Sequence, residues 1–203
     1  MKHLLFMLLS VAVAAGCGSK SSKKQTVNTV KPEPVAKAEP EPEAEPPPPP
    51  PPPKEAFVTL APTPKSKSKT KGTITFMEVE GGVEVTAELE GLKPGDHAWH
   101  VHEKGDCSAP DASSAGGHFN PSGKKHGAPD ADEHHEGDFG NLTAGKDGKA
   151  SKTFVMKGIT LGEGDTSIVG KGFIVHEKAD DMKTQPTGNA GGRIACGVIE
   201  AKS

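Results

Sequence analysis

Six histidines and one aspartate, spread over residues 100–176, constrain this chain more than any other feature of it. They run as His100-Val101-His102, then His118 in Gly-Gly-His-Phe-Asn-Pro, His126 in Lys-Lys-His-Gly, His135 followed by Gly137-Asp138, and His176 in Val-His-Glu-Lys-Ala-Asp-Asp. Imidazoles buried without partners cost folding free energy, so a chain that gathers six of its nine histidines has a use for them. Borderline-soft imidazoles with a single carboxylate suit zinc and copper rather than calcium or magnesium. The chain reads as a metalloprotein.

The segments around these residues read as strands. Val83, Val85, Ala87 and Leu89 alternate with Glu84, Thr86, Glu88 and Glu90, the period-two pattern of a half-buried strand. Gly81-Gly82 before it marks a hairpin turn from a strand over Thr73–Glu80. Further strands are expected at Phe57–Leu60, His97–His102, Ser151–Lys157, Gly172–His176 and Ile194–Glu200. Long Gly-, Asp- and Pro-rich stretches separate some of them, at 103–138 and 177–193, and loops of that length in a compact domain are usually functional. No long amphipathic helix is visible. The fold class expected is all-β, a Greek-key sandwich or flattened barrel with two long functional loops.

On the strand over 97–102, His100 and His102 are two apart and point to one face, which is how a sheet presents two imidazoles to one ion. His118, His126, His135 and Asp138 fall in one loop, and His176 ends a strand. His97 has the wrong parity for that face and is expected to hold a loop through a backbone hydrogen bond. Of the neighbours His134 and His135, only His135 fits the spacing to Gly137-Asp138, so His134 is read as a surface residue. Arg193 is the only arginine among 24 basic residues, so a planar, permanently charged fork is wanted there. One use for it is a structural ion pair, to the backbone near Cys107.

The N-terminus speaks to compartment. An apolar run from Leu4 to Ala15 follows Lys2, too short for a mature membrane span and in keeping with a signal peptide over 1–16. Ala14-Ala15-Gly16-Cys17 resembles a bacterial lipobox, which would make Cys17 a lipidated N-terminus; the alternative is ordinary cleavage with Cys17 a free thiol. Setting Cys17 aside leaves Cys107 and Cys196, and two cysteines in an exported chain read as a disulfide. By the chain-entropy model a loop of about 90 residues is worth ~4–5 kcal/mol.

Residues 17–54 form a Pro-, Glu- and Lys-rich tether that cannot bury a core. Its eight consecutive prolines, Pro46 to Pro53, are expected to form polyproline II about 25 Å long. A stiff spacer holding a domain off a membrane is favoured over a ligand for a proline-binding module. Residues 55–203 make one domain. Lys65 to Lys71, reading Lys-Ser-Lys-Ser-Lys-Thr-Lys, is expected to be a solvated loop between the first two strands. The net charge of −3 and the lack of a basic patch speak against nucleic acid as a partner.

Residues 56–201 resemble the copper–zinc superoxide dismutase family. The matching strings are His97-Ala98-Trp99-His100-Val101-His102-Glu103, Ala115-Gly116-Gly117-His118-Phe119-Asn120-Pro121, His135-Glu136-Gly137-Asp138, Val175-His176-Glu177-Lys178-Ala179-Asp180-Asp181 and Gly188-Asn189-Ala190-Gly191-Gly192-Arg193-Ile194-Ala195-Cys196-Gly197-Val198. The resemblance implies one copper per chain on His100, His102, His118 and His176. It implies one zinc on His118, His126, His135 and Asp138, with His118 bridging. It further implies that Asp180 joins a ligand of each metal, and that Arg193 guides and holds superoxide. The implied reaction turns superoxide into dioxygen and hydrogen peroxide on a redox-cycling copper, with His118 taking part. Ala98 and Trp99 stand where the family usually has a glycine and an aliphatic residue or phenylalanine. The loop after Asp181 is short, as in bacterial members, and lacks the acidic residues that eukaryotic members carry there.

The expectation is therefore an enzyme of the bacterial cell envelope, lipid-anchored, facing the periplasm and more readily at the outer membrane than the inner. The family occurs as homodimers and as monomers, so a homodimer is one of the states open. Two rivals are a copper-buffering module on the same fold and an envelope lipoprotein whose domain is a spacer. Neither accounts for a complete two-metal ligand set together with the arginine.

Overall fold

The computed structural model describes residues 54–202. The leader over 1–16, Cys17 and all but the last residue of the tether lie outside them. The described part is an antiparallel β structure with no helix beyond two short 3-10 turns, at Pro64–Ser66 and Ser113–Ala115. Its strands are β1 (Glu55–Pro62), β2 (Lys71–Val79), β3 (Gly82–Glu90), β4 (Gly95–His102), β5 (Asp138–Ala144), β6 (Ala150–Met156), β7 (Gly172–His176), β8 (Arg193–Val198) and β9 (Glu200–Ala201).

The neighbours run β5-β4-β7-β8-β1-β2-β3-β6, with β9 paired to β1. Eight antiparallel strands thus form a nearly closed, flattened barrel. One half is β6-β3-β2-β1 and the other β8-β7-β4-β5. Strand β1 belongs to both: it pairs with β2 from Glu55 to Leu60, then Ala61 and Pro62 pair with Cys196 and Ala195 on β8. The alternation read over residues 83–90 is borne out, since Val83, Val85, Ala87 and Leu89 are all buried. Their area removed from water is worth about 25 cal/mol per Å², which makes the apolar face the main stabiliser of the hairpin.

Two expectations need correction. Strand β5 was absent from the sequence reading, which ended the long loop at Asp138. Gly140 and Asn141 interrupt its alternation, yet Phe139 and Leu142 are buried. The strand expected over Ile194–Glu200 is broken: Ile199 leaves the β8 ladder to exchange hydrogen bonds with residues 170 and 171 (Ile199 N to Lys171 O, 2.9 Å; Gly170 N to Ile199 O, 2.8 Å), and β9 then turns to β1.

Trp99 decides how β4 sits. Its ring is fully buried and packs against Phe139, Phe154 and Phe173, each centroid 5.8 Å away. Its indole N–H donates to Phe139 O at 3.0 Å, so the polar handle of a buried tryptophan is satisfied. Because side chains alternate along a strand, seating Trp99 and Val101 in the core turns His100 and His102 to the opposite face. The disulfide Cys107–Cys196 closes 89 residues of separation and pins the start of the long loop to β8.

Candidate metal centre

On the face opposite Trp99, the structure brings together two groups of metal-ligating side chains, all of them buried. The first is His100, His102, His118 and His176; the second is His118, His126, His135 and Asp138. Within each group the ligand atoms lie within 4.8 Å of one another. His118 belongs to both.

Backbone hydrogen bonds set the first group. His100 and His102 lie on β4, His176 ends β7, and β4 and β7 are paired from Trp99↔Val175 to His102↔Gly172. His118 comes from the long loop, but its segment is laid against β4 like a further strand: Phe119 N donates to Val101 O at 2.8 Å, and Gly137 N to Phe119 O at 2.8 Å. His97 behaves as its parity indicated. It bridges His176 O (Nδ1, 2.8 Å) and Lys93 O (Nε2, 2.9 Å), joining none of the ligand groups. His134 likewise stays outside, its Nδ1 on Ala131 O.

The second group is set by polar side chains. Asp138 is its centre, with His118 Nδ1, His126 Nδ1 and His135 Nδ1 at 2.8, 3.0 and 3.2 Å from its carboxylate oxygens. A tetrahedral ion with bonds of about 2.0–2.1 Å spaces its ligands about 3.3 Å apart, so this donor set is close to the size zinc requires. The amides of Gly127 and His135 donate to Asp138 Oδ2 at 3.1 and 2.9 Å and fix the carboxylate.

Unpartnered ring nitrogens give a second test of fit. Seven buried side-chain polar atoms lack a hydrogen-bond partner among the described residues, and six are imidazole nitrogens of these groups. They are His100 Nδ1, His102 Nε2, His118 Nε2, His126 Nδ1, His135 Nδ1 and His176 Nε2, of which His126 Nδ1 and His135 Nδ1 lie near the Asp138 carboxylate without making a hydrogen bond to it; the seventh is Glu136 Oε2. Leaving a buried polar atom unpaired costs about 1–3 kcal/mol, too much to repeat six times in one place unless those atoms bind something. The opposite nitrogens of His100, His102, His126 and His176 are engaged by oxygen acceptors, which fixes each ring's orientation. His118 has Nδ1 among the second group and Nε2 free for the first.

Asp180 ties the groups together. His100 Nε2 donates to its Oδ2 at 2.7 Å and His126 Nε2 to its Oδ1 at 2.9 Å. Gly188 makes this bridge sterically feasible: a Cβ there would collide with Asp180 Oδ1 and come within 2.6 Å of His126 Nε2, and its φ of +65° also favours glycine.

Two amides that sequence reasoning missed complete the arrangement. The Gln185 side chain accepts from His126 N at 2.9 Å and donates to His126 O at 2.8 Å. Asn141 does the same for Asp180, accepting from its N–H at 2.7 Å and donating to its O at 3.0 Å. Nothing in the sequence marks a loop glutamine, or an asparagine on an unrecognised strand, for such a role.

The electrostatics differ between the groups. Burial holds His102 and His176 well below the ordinary imidazole range, and lowers His118 to about 4 despite the pull of Asp138. These rings are neutral at neutral pH, as ligands must be. Burial also acts to lower His126, but Asp138 and Asp180 outweigh it and raise the ring to about 9. Both carboxylates are held below their usual range by their imidazole partners, against the push of burial. Arg193 sits beside the first group, with Nη1 donating to Ala112 O at 2.6 Å and Nη2 to Gly116 O at 2.7 Å. Gly116 O also accepts from His102 Nδ1 at 3.0 Å, so one carbonyl joins the arginine to a ligand.

Two comparisons with known proteins bear on this arrangement. A family model described as Copper/zinc superoxide dismutase (SODC) matches residues 70–199. A crystal structure of a protein described as the clock protein EA4 is 40% identical, covers 73% of this chain and 94% of its own, and superposes with a TM-score of 0.66.

Proposed function

This chain belongs to the copper/zinc superoxide dismutase family and is a superoxide dismutase enzyme, and from that premise we propose how its residues divide the work. His100, His102, His118 and His176 would hold copper, His118, His126, His135 and Asp138 would hold zinc, and His118 would serve both. The observation that carries this reading is the set of six unpartnered imidazole nitrogens, with the two nitrogens of His118 each facing a different group. A bound copper supplies the one-electron exchange that converts two superoxide anions and two protons into dioxygen and hydrogen peroxide.

The protein's own groups do the rest. Arg193, immobilised by two carbonyls, offers a fixed cation to the substrate, so little side-chain freedom is lost when the anion arrives. His118 Nε2 is the atom at which a proton can be held close to the substrate, because Nδ1 is committed to the Asp138 side. Asp180 and the carbonyls of Gly116 and Gly191 orient the remaining rings. All of these ligands are buried, which keeps bulk water from competing for them. We place the enzyme in the bacterial cell envelope, anchored through a lipid on Cys17 and facing the periplasm, the outer membrane preferred, with the 17–54 segment as spacer and a homodimer as one state open to it. The lipobox-like Ala14-Ala15-Gly16-Cys17 supports the anchor.

The test is the dismutation rate of the full chain loaded with copper and zinc, alongside anomalous diffraction at each metal edge. Copper beside His176 and zinc beside Asp138, with a rate near the diffusion limit, would bear the reading out. Both metals bound with turnover no faster than background would replace it with a copper buffer.

A further inference from the structure

Strands β5 and β6 follow one another in the chain but stand at opposite ends of the strand order, so the barrel closes on a seam between them. The turn that connects them is shut by Gly145 N on Lys149 O at 2.8 Å, and beyond it no ladder joins the two strands among the described residues. An inward-facing lysine sits at this seam. On β6, Ala150, Lys152, Phe154 and Met156 share one parity; Ala150 and Met156 are buried and Phe154 packs against the core. Lys152 thus takes a place where the row calls for an apolar residue.

Its side chain is half-buried, and its ammonium lies 5.1 Å from the Phe154 ring centre and 5.8 Å from that of Trp99. Its Nζ donates across the seam to Asn141 O at 3.0 Å. No ion pair is made by Lys152 among the described residues. Burial pushes its pKa below the ordinary lysine range, so the charge is held there at a cost. A cost of that kind is kept where the contact it makes has a use.

The contact reaches a weak point of β5. Pairing with β4 is regular from Gly95↔Ala144 to Ala98↔Asn141 and then shifts register before His100↔Asp138. Asn141 is the last residue of the regular stretch, and Gly140 beside it has φ +73°, so the ladder alone does not fix the backbone there. Asn141 is also the residue whose side chain brackets the Asp180 backbone, and Asp180 receives His100 Nε2 and His126 Nε2. A chain of contacts runs from the seam through Asn141 and Asp180 to one ring of each ligand group.

We propose that Lys152 is a positioning residue for the Asp180 bridge: by holding the Asn141 carbonyl across the seam, it fixes the amide that sets Asp180 between the two ligand groups. The inference rests on the reading of those groups as copper and zinc sites. Lys152 itself touches no ligand of either.

The experiment compares the full chain with K152M, K152R, N141A and K152M/N141A. Methionine keeps an apolar stem against Trp99 and Phe154 and loses the donor; arginine keeps donor and charge. In metal-free protein, NMR reads hydrogen exchange of the Asp180 amide and the ring N–H protons of His100 and His126. In copper- and zinc-loaded protein, capture by a chelator reads the release of each metal. K152M should exchange the Asp180 amide about fivefold faster and release both metals about threefold faster, with K152R within about twofold of wild type. N141A should speed Asp180 exchange about tenfold, and adding K152M should change it no further, because the lysine acts through the asparagine. Should K152M not fold, K152Q, whose donor is too short to span the seam, takes its place in the same comparison. A lysine that only braces the barrel would lower thermal stability while leaving Asp180 exchange unchanged, or would add its effect equally in the N141A background; either result would overturn the inference and leave the enzyme reading intact. Faster Asp180 exchange in K152M, in a protein that holds both metals without dismutation, would sink the enzyme reading and keep the role of the lysine.

Discussion

The two ligand groups share a histidine and differ in how they are built. In the His100/His102/His176 group, three of four ligands stand on paired strands, so the ladder between β4 and β7 fixes their geometry. In the His126/His135/Asp138 group the histidines come from an irregular loop, and geometry depends on side chains: Gln185 on the His126 backbone, Asn141 on Asp180, Asp180 on the His126 ring. A ladder spreads its load over many hydrogen bonds, whereas each amide acts at one place. Removing a single side chain should therefore disturb the loop-borne group more selectively than the strand-borne one.

The largest effect should come from Asp138→Ala, which deletes the centre of the loop-borne group. Zinc affinity should fall by more than the ten- to hundredfold typical of an outer partner, while copper affinity changes far less. Chelator competition with elemental analysis reads both, and equal loss of the two metals would break the comparison. Asp180→Ala comes next, with both affinities falling together by about ten- to hundredfold because its oxygens serve one ring in each group; a loss confined to one metal would refute that shared role. Gln185→Ala should cost about tenfold on zinc alone, and unchanged zinc release into a chelator would show that the loop does not need the clamp.

The smallest effect sharpens the contrast through pH. In metal-free protein, His118 is lowered to about 4 and His102 and His176 also lie below 6.5. Below pH 6.5 the unfolded chain takes up protons that these buried rings refuse, so stability should fall as pH drops toward 4. His126, raised to about 9, has the opposite sign: its contribution is complete below pH 6.5 and is lost as pH rises through 9. Urea midpoints of chelator-treated protein should therefore peak near pH 6.5. A monotonic rise to pH 9 would mean that His126 is not held by its two carboxylates.

How much of this was legible in the sequence depended on periodicity. Strand β3 was read from its alternation, and the shared face of His100 and His102 from their spacing, because a period of two leaves a mark in sequence; their part in a ligand set came from the resemblance to a family. Strand β5 was not, because Asp138 opens it as a site residue and Gly140 and Asn141 break the pattern before Leu142 resumes it. The Lys65–Lys71 run was read correctly as a loop between the first two strands with its lysines in solvent, but the hydrogen bonds among Ser66, Ser68 and Thr70 left no mark, because lysine and serine carry no apolar signal. Gln185 and Asn141 left no trace, since their partners are backbone atoms far off in the chain. Trp99 was visible in the sequence, but its place in the core was not. The indole fills the core among three phenylalanines, which leaves His100 and His102, of opposite parity on the strand, on the face of the site.

Strand β1 carries a mechanical consequence. A pull on the chain at Lys54 enters β1 along its own axis, where the strand pairs with β2 over Glu55–Leu60 and then with β8 at Ala61 and Pro62. Those hydrogen bonds are loaded in shear, all at once, instead of being peeled open one after another. The last of them lie beside the disulfide at Cys196, so part of a force reaching the far end of β1 is carried by covalent structure.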